Sequence, residues 1–115
     1  MKLRIYFLLF LLGILVASCV SFFQQTPGYM DADYYYAGGL SLARQEGFVE
    51  PFLWNYLDDP SGLPHPSHAY WMPLASILAA AGMALAGNFE FSSARLAFIL
   101  IAGWVPVFTA GVFFF

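Results

Sequence analysis

Two carboxylates, three consecutive tyrosines and two histidines are the residues of this 115-residue chain whose types and spacing could do chemistry. Asp31 and Asp33 stand in "YMDADYYYAGG", residues 29–39, followed at once by Tyr34, Tyr35 and Tyr36. His65 and His68 stand in "LDDPSGLPHPSHAYW", residues 57–71. A carboxylate kept ionised at a helix start can accept a proton from a hydroxyl, and two together can share a hard divalent cation. Imidazoles near neutral pH can meet an anionic oxygen with a hydrogen bond or a positive charge. Simpler readings of the same residues stand beside these. Asp31 can be an N-cap and Asp33 a first-turn acid. The tyrosines can be interface anchors, and the histidines solvated or capping groups. A zinc pair made by His65 and His68 with the acids finds no supporting Cys or His cluster elsewhere.

The elements that carry these residues are written in the composition. Hydrophobic residues make up 61% of the chain and charged ones 10%, against roughly 25% charged in soluble domains. Such a chain calls for a bilayer as its solvent. A net charge of -3 argues against a nucleic-acid partner. A single cysteine, Cys19, excludes an internal disulfide framework.

Three apolar runs predict an all-α membrane protein with three transmembrane helices. Residues 1–23 hold a short N-terminus and the first span, charge-free from residue 5 to residue 23 and close to the 20 or so residues that cross a hydrocarbon core. Residues 71–87 form the second, rich in the small side chains that let membrane helices approach closely. Residues 88–95 form a short link. Residues 96–115 form the third, which reaches the last residue without an exit signal, so the chain is expected to be the front of a longer membrane protein. Lys2, Arg4 and Arg95 then fall on one side, and the basic-inside rule makes that side cytoplasmic, with the N-terminus in the cytosol, the protein in the plasma membrane and residues 24–70 external. "VASC", residues 16–19, also fits a lipoprotein cleavage site, which would leave Cys19 lipid-anchored.

The external loop is long and aromatic, with Phe48, Phe52, Trp54 and Tyr56 besides the tyrosines, and is expected to be folded against the membrane surface. An amphipathic helix is predicted at about 32–46, with Asp31 as N-cap, a stripe of Tyr36, Leu40 and Ala43, and Gly47 as its stop. Gly38 and Gly39 would weaken it unless another backbone approaches there. The Pro-rich segment after it reads as turns that deliver His65 and His68 to the second span, with Tyr70 and Trp71 in the interfacial belt.

The order of these features resembles the GT-C membrane glycosyltransferases, above all the protein O-mannosyltransferase and aminoarabinose transferase group. In that group the first external loop opens with Asp-Glu and a tyrosine a few residues on; "DADYYYAGGLSLARQEGF" takes that place, with Asp31 at the leading acid and Tyr35 at the tyrosine. The group also carries Lys-Pro-Pro, two residues and Tyr-Trp; "HPSHAYW" is similar, with His65 at the lysine, Pro66 at the first proline and Tyr70-Trp71 intact. Two departures are His65 for lysine and Ala32 between the acids. The resemblance implies transfer of a sugar from a polyprenyl-phosphate carrier to an acceptor at the outer membrane face, by an enzyme of which this chain is a part inactive alone. It implies Asp31 as base with Asp33 beside it, His65 and His68 toward the donor phosphate, and Tyr34, Tyr35 and Tyr36 along the sugar or prenyl path. The cofactor is unknown, with a divalent cation on Asp31 and Asp33 as the candidate. The bilayer and the lipid-linked sugar are the implied partners. The competing class is a non-enzymatic membrane protein whose external loop binds a partner. A transporter is disfavoured because none of the three runs carries an ionisable residue inside it.

Overall fold

The charge-free run after Arg4 makes one unbroken helix, α1 (Lys2–Phe22, 21 residues). At 1.5 Å per residue it is about 31 Å long, the thickness of a hydrocarbon core. The computed structural model describes residues 2–53, 59–69 and 71–114. Trp54, Tyr56 and Tyr70, singled out above, lie outside that set.

Helix α2 (Met30–Ala43) carries the acids, but its start differs from expectation. The N-cap is Tyr29, in extended conformation, and its side chain makes no capping bond. Its carbonyl accepts the Ala32 N–H at 2.8 Å. Asp31 and Asp33 are therefore both first-turn acids, favoured by the positive end of the helix dipole and not by a cap hydrogen bond. The far end also comes earlier than the predicted Glu46. Gln45 N–H bonds Leu42 O at 3.0 Å and Glu46 N–H bonds Ser41 O at 2.9 Å. That pair of bonds closes the helix with Gln45 in the left-handed conformation, φ 64°.

Next come two-residue strands β1 (Val49–Glu50) and β2 (His65–Pro66), paired antiparallel with Glu50 opposite His65. The Pro-rich segment is thus more than turns: one strand pair ties its histidine to a glutamate 15 residues earlier. Within it Asp59 caps the 3₁₀ turn Pro60–Gly62. The Ser61 hydroxyl and N–H both donate to that carboxylate and hold it below its ordinary pKa.

Helix α3 (Leu74–Ala86) has 13 residues and ends on Gly87 in the left-handed conformation, whose N–H bonds Met83 O at 2.9 Å. Its length is about 20 Å, well short of a hydrocarbon core. The run expected as a second span is thus a short apolar helix, and it packs on α2 rather than beside α1. After the turn at Asn88 come α4 (Phe91–Ala94), α5 (Leu96–Ala102) and α6 (Trp104–Phe114). They form one apolar run, Phe91–Phe113, the second helix long and apolar enough to cross a membrane. Its break at Gly103 has a local cause. Pro106 has no N–H for the Ala102 carbonyl four residues back, and its ring crowds that carbonyl.

This run lies antiparallel to α1. Arg95 reaches Ser21 and Gln24 at the end of α1, Gly103 abuts Gly13, and Trp104 meets Phe10 with ring centroids 5.1 Å apart. Arg95 is therefore at the opposite end of α1 from Lys2 and Arg4, not beside them as the three-span reading required. The chain is a mostly helical hairpin of two spanning-length helices capped at one end by α2, α3 and the strand pair, 61 Å along its longest axis.

The cap is held by small residues. Ala79, Met83 and Ala94 form its buried centre, covered by Tyr36, Leu40 and Ala43, the predicted stripe of α2. A Cβ added at Gly39 would lie 2.6 Å from Ala79 Cβ and 3.0 Å from Ser76 O. The Gly39→Ala variant is accordingly expected to lose about 1–3 kcal/mol, the usual cost of overpacking. Gln45→Gly should gain about 1 kcal/mol by relieving the left-handed side chain. Thermal unfolding in detergent, followed by near-ultraviolet circular dichroism, checks both.

Candidate functional site

Asp31 and Asp33 are exposed on the first turn of α2, near where α1 ends at the cap. Two positions along a helix turn a side chain by about 200°, so the two carboxylates diverge. Among the described residues no three His, Cys, Asp or Glu side chains gather into a metal-binding group.

What lies between the acids is Ala32, and it lines two neighbouring hollows. One, about 200 Å³, runs between α2, α3 and α5 against Tyr35, Tyr36, Phe91 and Phe98. The other, about 460 Å³, is a groove between the end of α1 and α5, walled by Val20, Phe98 and Ile99 with Ser21 and Gln24 at its rim. Arg95 lines both. The walls are otherwise almost wholly apolar.

Arg95 is fixed by the helix end beneath it. Its Nη1 donates to the Ser21 carbonyl and, at 2.8 Å, to the Gln24 carbonyl. A cation at the last carbonyls of α1 also meets the negative end of that helix dipole. The guanidinium stacks over Phe91 at 4.7 Å from the ring centroid, and its Nε is buried without a hydrogen-bond partner.

The three tyrosines divide. Tyr35 and Tyr36 line the smaller hollow, and the Tyr36 hydroxyl donates to Phe89 O at 3.0 Å. Tyr34 is 4% exposed and points the other way, into a polar cluster. Its hydroxyl accepts the His68 N–H at 2.6 Å and is hydrogen-bonded to Glu50. Burial, above all, pushes the Tyr34 phenol above its ordinary pKa; Glu50 pushes the same way, and the His68 N–H opposes them.

The histidines are brought to this cluster. His68 has a left-handed backbone, φ 63°. Its ring stacks on Tyr35 at 6.5 Å and meets Tyr34 and Phe48 edge-on. Nδ1 lies 3.2 Å from Trp71 O, and Nε2 faces Gly38, 3.1 Å from where a Cβ would stand. Both ring nitrogens of His68 are thus turned to the protein. His65 Nδ1 sits 3.5 Å from Glu50 Oε1.

Glu50, Arg95 and Ser76 were not read as site residues from the sequence. Ser76 is fully buried and donates to the Tyr35 carbonyl at 3.0 Å, tying α3 to α2 just behind the acids. Glu50 lies in a two-residue strand too short to show a period, and its partner is distant in sequence. For Arg95 a signal existed: a lone cation inside an apolar run needs a partner at that depth.

Comparison with protein families, with curated proteins and with solved structures finds no match to this chain.

The Tyr34 cluster makes a pH prediction. The unfolded chain releases the phenol proton near pH 10, while the folded chain keeps it to higher pH. Folding therefore retains a proton that unfolding gives up, so the contribution of Tyr34 is complete below about pH 10 and is lost as pH climbs through the raised pKa. Tyr34→Phe should cost about 1–3 kcal/mol at neutral pH, because the His68 N–H and Glu50 lose their partner. It should also flatten the alkaline loss of stability relative to the parent chain. Melting temperatures of the two proteins between neutral and strongly alkaline pH measure both effects.

Proposed function

We propose that residues 1–115 form the front part of a membrane glycosyltransferase that moves a sugar from a polyprenyl-phosphate donor to an acceptor hydroxyl at the outer membrane face. The observation that carries this reading is the position of Ala32. It lines a largely apolar groove between the end of α1 and α5, while its sequence neighbours, Asp31 and Asp33, are exposed on the first turn of α2. A lipid chain has somewhere to lie, and its polar head ends beside carboxylates facing water. The motif order "DADYYY" and "HPSHAYW" supports the same class.

In this reading the N-terminal end, with Lys2 and Arg4, is cytoplasmic. The cap, which carries the acids, is external; with Arg95 at the cap end the basic residues divide two and two, Lys2 and Arg4 against Arg44 and Arg95, so this orientation follows from the functional reading and not from the basic-inside rule. Asp31 is the base. By helix geometry it lies on the face of α2 that bears Tyr34, Tyr35 and Gly38, toward the histidine segment, whereas Asp33 points away. Asp31 takes the proton of the acceptor hydroxyl as that oxygen bonds to the anomeric carbon. The bond from that carbon to the phosphate oxygen breaks, and polyprenyl phosphate leaves with the electron pair.

Asp31→Asn in the full-length chain should lower sugar transfer by about 10²–10⁴-fold, the span of a lost general base, with membrane insertion unchanged. Asp33→Asn should cost far less. Transfer from a radiolabelled prenyl-phosphate sugar by protein reconstituted in liposomes measures both; full turnover by Asp31→Asn removes Asp31 from the role of base, and no transfer by the parent protein removes the enzymatic reading.

A further inference from the structure

We propose that Arg95 is the binding residue for the phosphate of an anionic lipid whose chain occupies the groove between α1 and α5. The inference rests on the functional reading for the identity of that lipid, a prenyl phosphate, and on the geometry for the rest.

A guanidinium has five N–H donors in a planar fork. In Arg95 the Nη1 end is used by the carbonyls of Ser21 and Gln24, which anchors the group where α1 ends. Phe91 fixes the plane of the ring of nitrogens from one face. The opposite edge begins at Nε, which is buried and has no partner. A buried donor without a partner costs about 1–3 kcal/mol; His65 Nε2 and His68 Nε2 also lack partners, and what points Arg95 to a ligand is its place on the groove wall, which neither histidine lines. The edge formed by Nε and the second terminal nitrogen is the one that pairs two parallel hydrogen bonds with two oxygens of a phosphate.

The surroundings select the ligand. The groove wall of Val20, Phe98 and Ile99 is apolar, and the one charged residue lining it is this cation. That combination fits one anionic head and one hydrocarbon tail. The histidines given this role by the motif are placed differently: His68 turns both nitrogens to the protein, and His65 holds Nδ1 against the Glu50 carboxylate. Arg95 supplies at the groove the fixed positive charge that His65 lacks in place of lysine.

The test uses the full-length protein in nanodiscs, with farnesyl phosphate, farnesol and inorganic phosphate as probes and calorimetry as readout. Farnesyl phosphate should bind, and Arg95→Gln should weaken it by about tenfold to a hundredfold, the range for hydrogen bonds to a charged group. Farnesol should bind more weakly and show no dependence on Arg95. His65→Ala and His68→Ala should leave farnesyl phosphate affinity unchanged. Equal affinity in Arg95→Gln, or an equal loss in the histidine variants, overturns the proposal. Displacement of farnesyl phosphate by equimolar inorganic phosphate overturns the lipid assignment. Should Arg95→Gln fail to fold, Arg95→Lys decides, because an ammonium still reaches the Ser21 and Gln24 carbonyls but has no fork; undiminished binding there also overturns the proposal. Asp31→Asn should bind farnesyl phosphate normally while its transfer falls as stated above. The parent protein separates the two readings: Arg95-dependent binding without any sugar transfer would remove the glycosyltransferase and keep the lipid site.

Discussion

The cap depends on a close approach of two backbones. Gly38 and Gly39 of α2 lie against Ser76 and Ala79 of α3 so tightly that a methyl group at either glycine would overlap its neighbour. Two glycines inside one helix cost about 1 kcal/mol each in intrinsic preference. Packing and the Ser76 bond to the Tyr35 carbonyl offset that cost, and the helix exists because of its partner. The contact also fixes function-bearing residues. With Gly38 flush against His68, the segment after β2 is seated on the face of α2 that holds Tyr34 and Tyr35. A larger residue at 38 would lift that segment and separate histidines from acids.

A second joint couples the cap to the helix pair. α3 packs on α4 and α5, where Gly82 admits the carbonyls of Ser93 and Ala94. One residue later Arg95 reaches across to the end of α1. Residues 93–95 thus bind the cap on one side and the first spanning-length helix on the other. Gly13 against Gly103 repeats the small-residue solution farther along the hairpin. Between these contacts α1 offers its apolar side chains to the surroundings, with none of its best apolar window buried in the protein. Water would not tolerate that much exposed hydrocarbon on one helix; lipid tails or further helices would.

The sequence made some of this legible. A charge-free run is sufficient to specify α1, because length and apolarity are local properties. The α2 stripe of Tyr36, Leu40 and Ala43 was legible from its period. Residues 71–87 make a shorter helix than the run suggested, because Pro73 and Gly87 cut it at both ends; one face buries Ser76, Ala79, Gly82 and Met83, and the other leaves Leu74, Ile77 and Leu85 exposed. The N-cap misled differently. Asp31 has the right chemistry, but the chain enters the helix two residues earlier, through an extended Tyr29. The pairing of Glu50 with His65, like the reach of Arg95, is set by tertiary contacts that no local pattern encodes.

Moving Arg95 from one end of the hairpin to the other changes the electrostatics of the candidate site more than any other difference. Read as part of a link beside Lys2 and Arg4, it lay on the opposite side of the membrane from Asp31 and Asp33. Placed at the end of α1, it sets a cation level with the first turn of α2, across Ala32 from the carboxylates. Arg95 and Ala32 then line the same groove, while Arg95 is occupied by carbonyls and the acids on either side of Ala32 are exposed. Opposite charges held apart over an apolar groove suit a ligand with an anionic head and a hydroxyl-bearing neighbour. The cation attracts the former, and a carboxylate accepts the proton of the latter. A tight Arg–Asp pair would have satisfied both charges internally and left neither for a ligand. The carbonyls of Ser21 and Gln24 hold the cation without neutralising it, so the way α1 ends keeps the site chemically open.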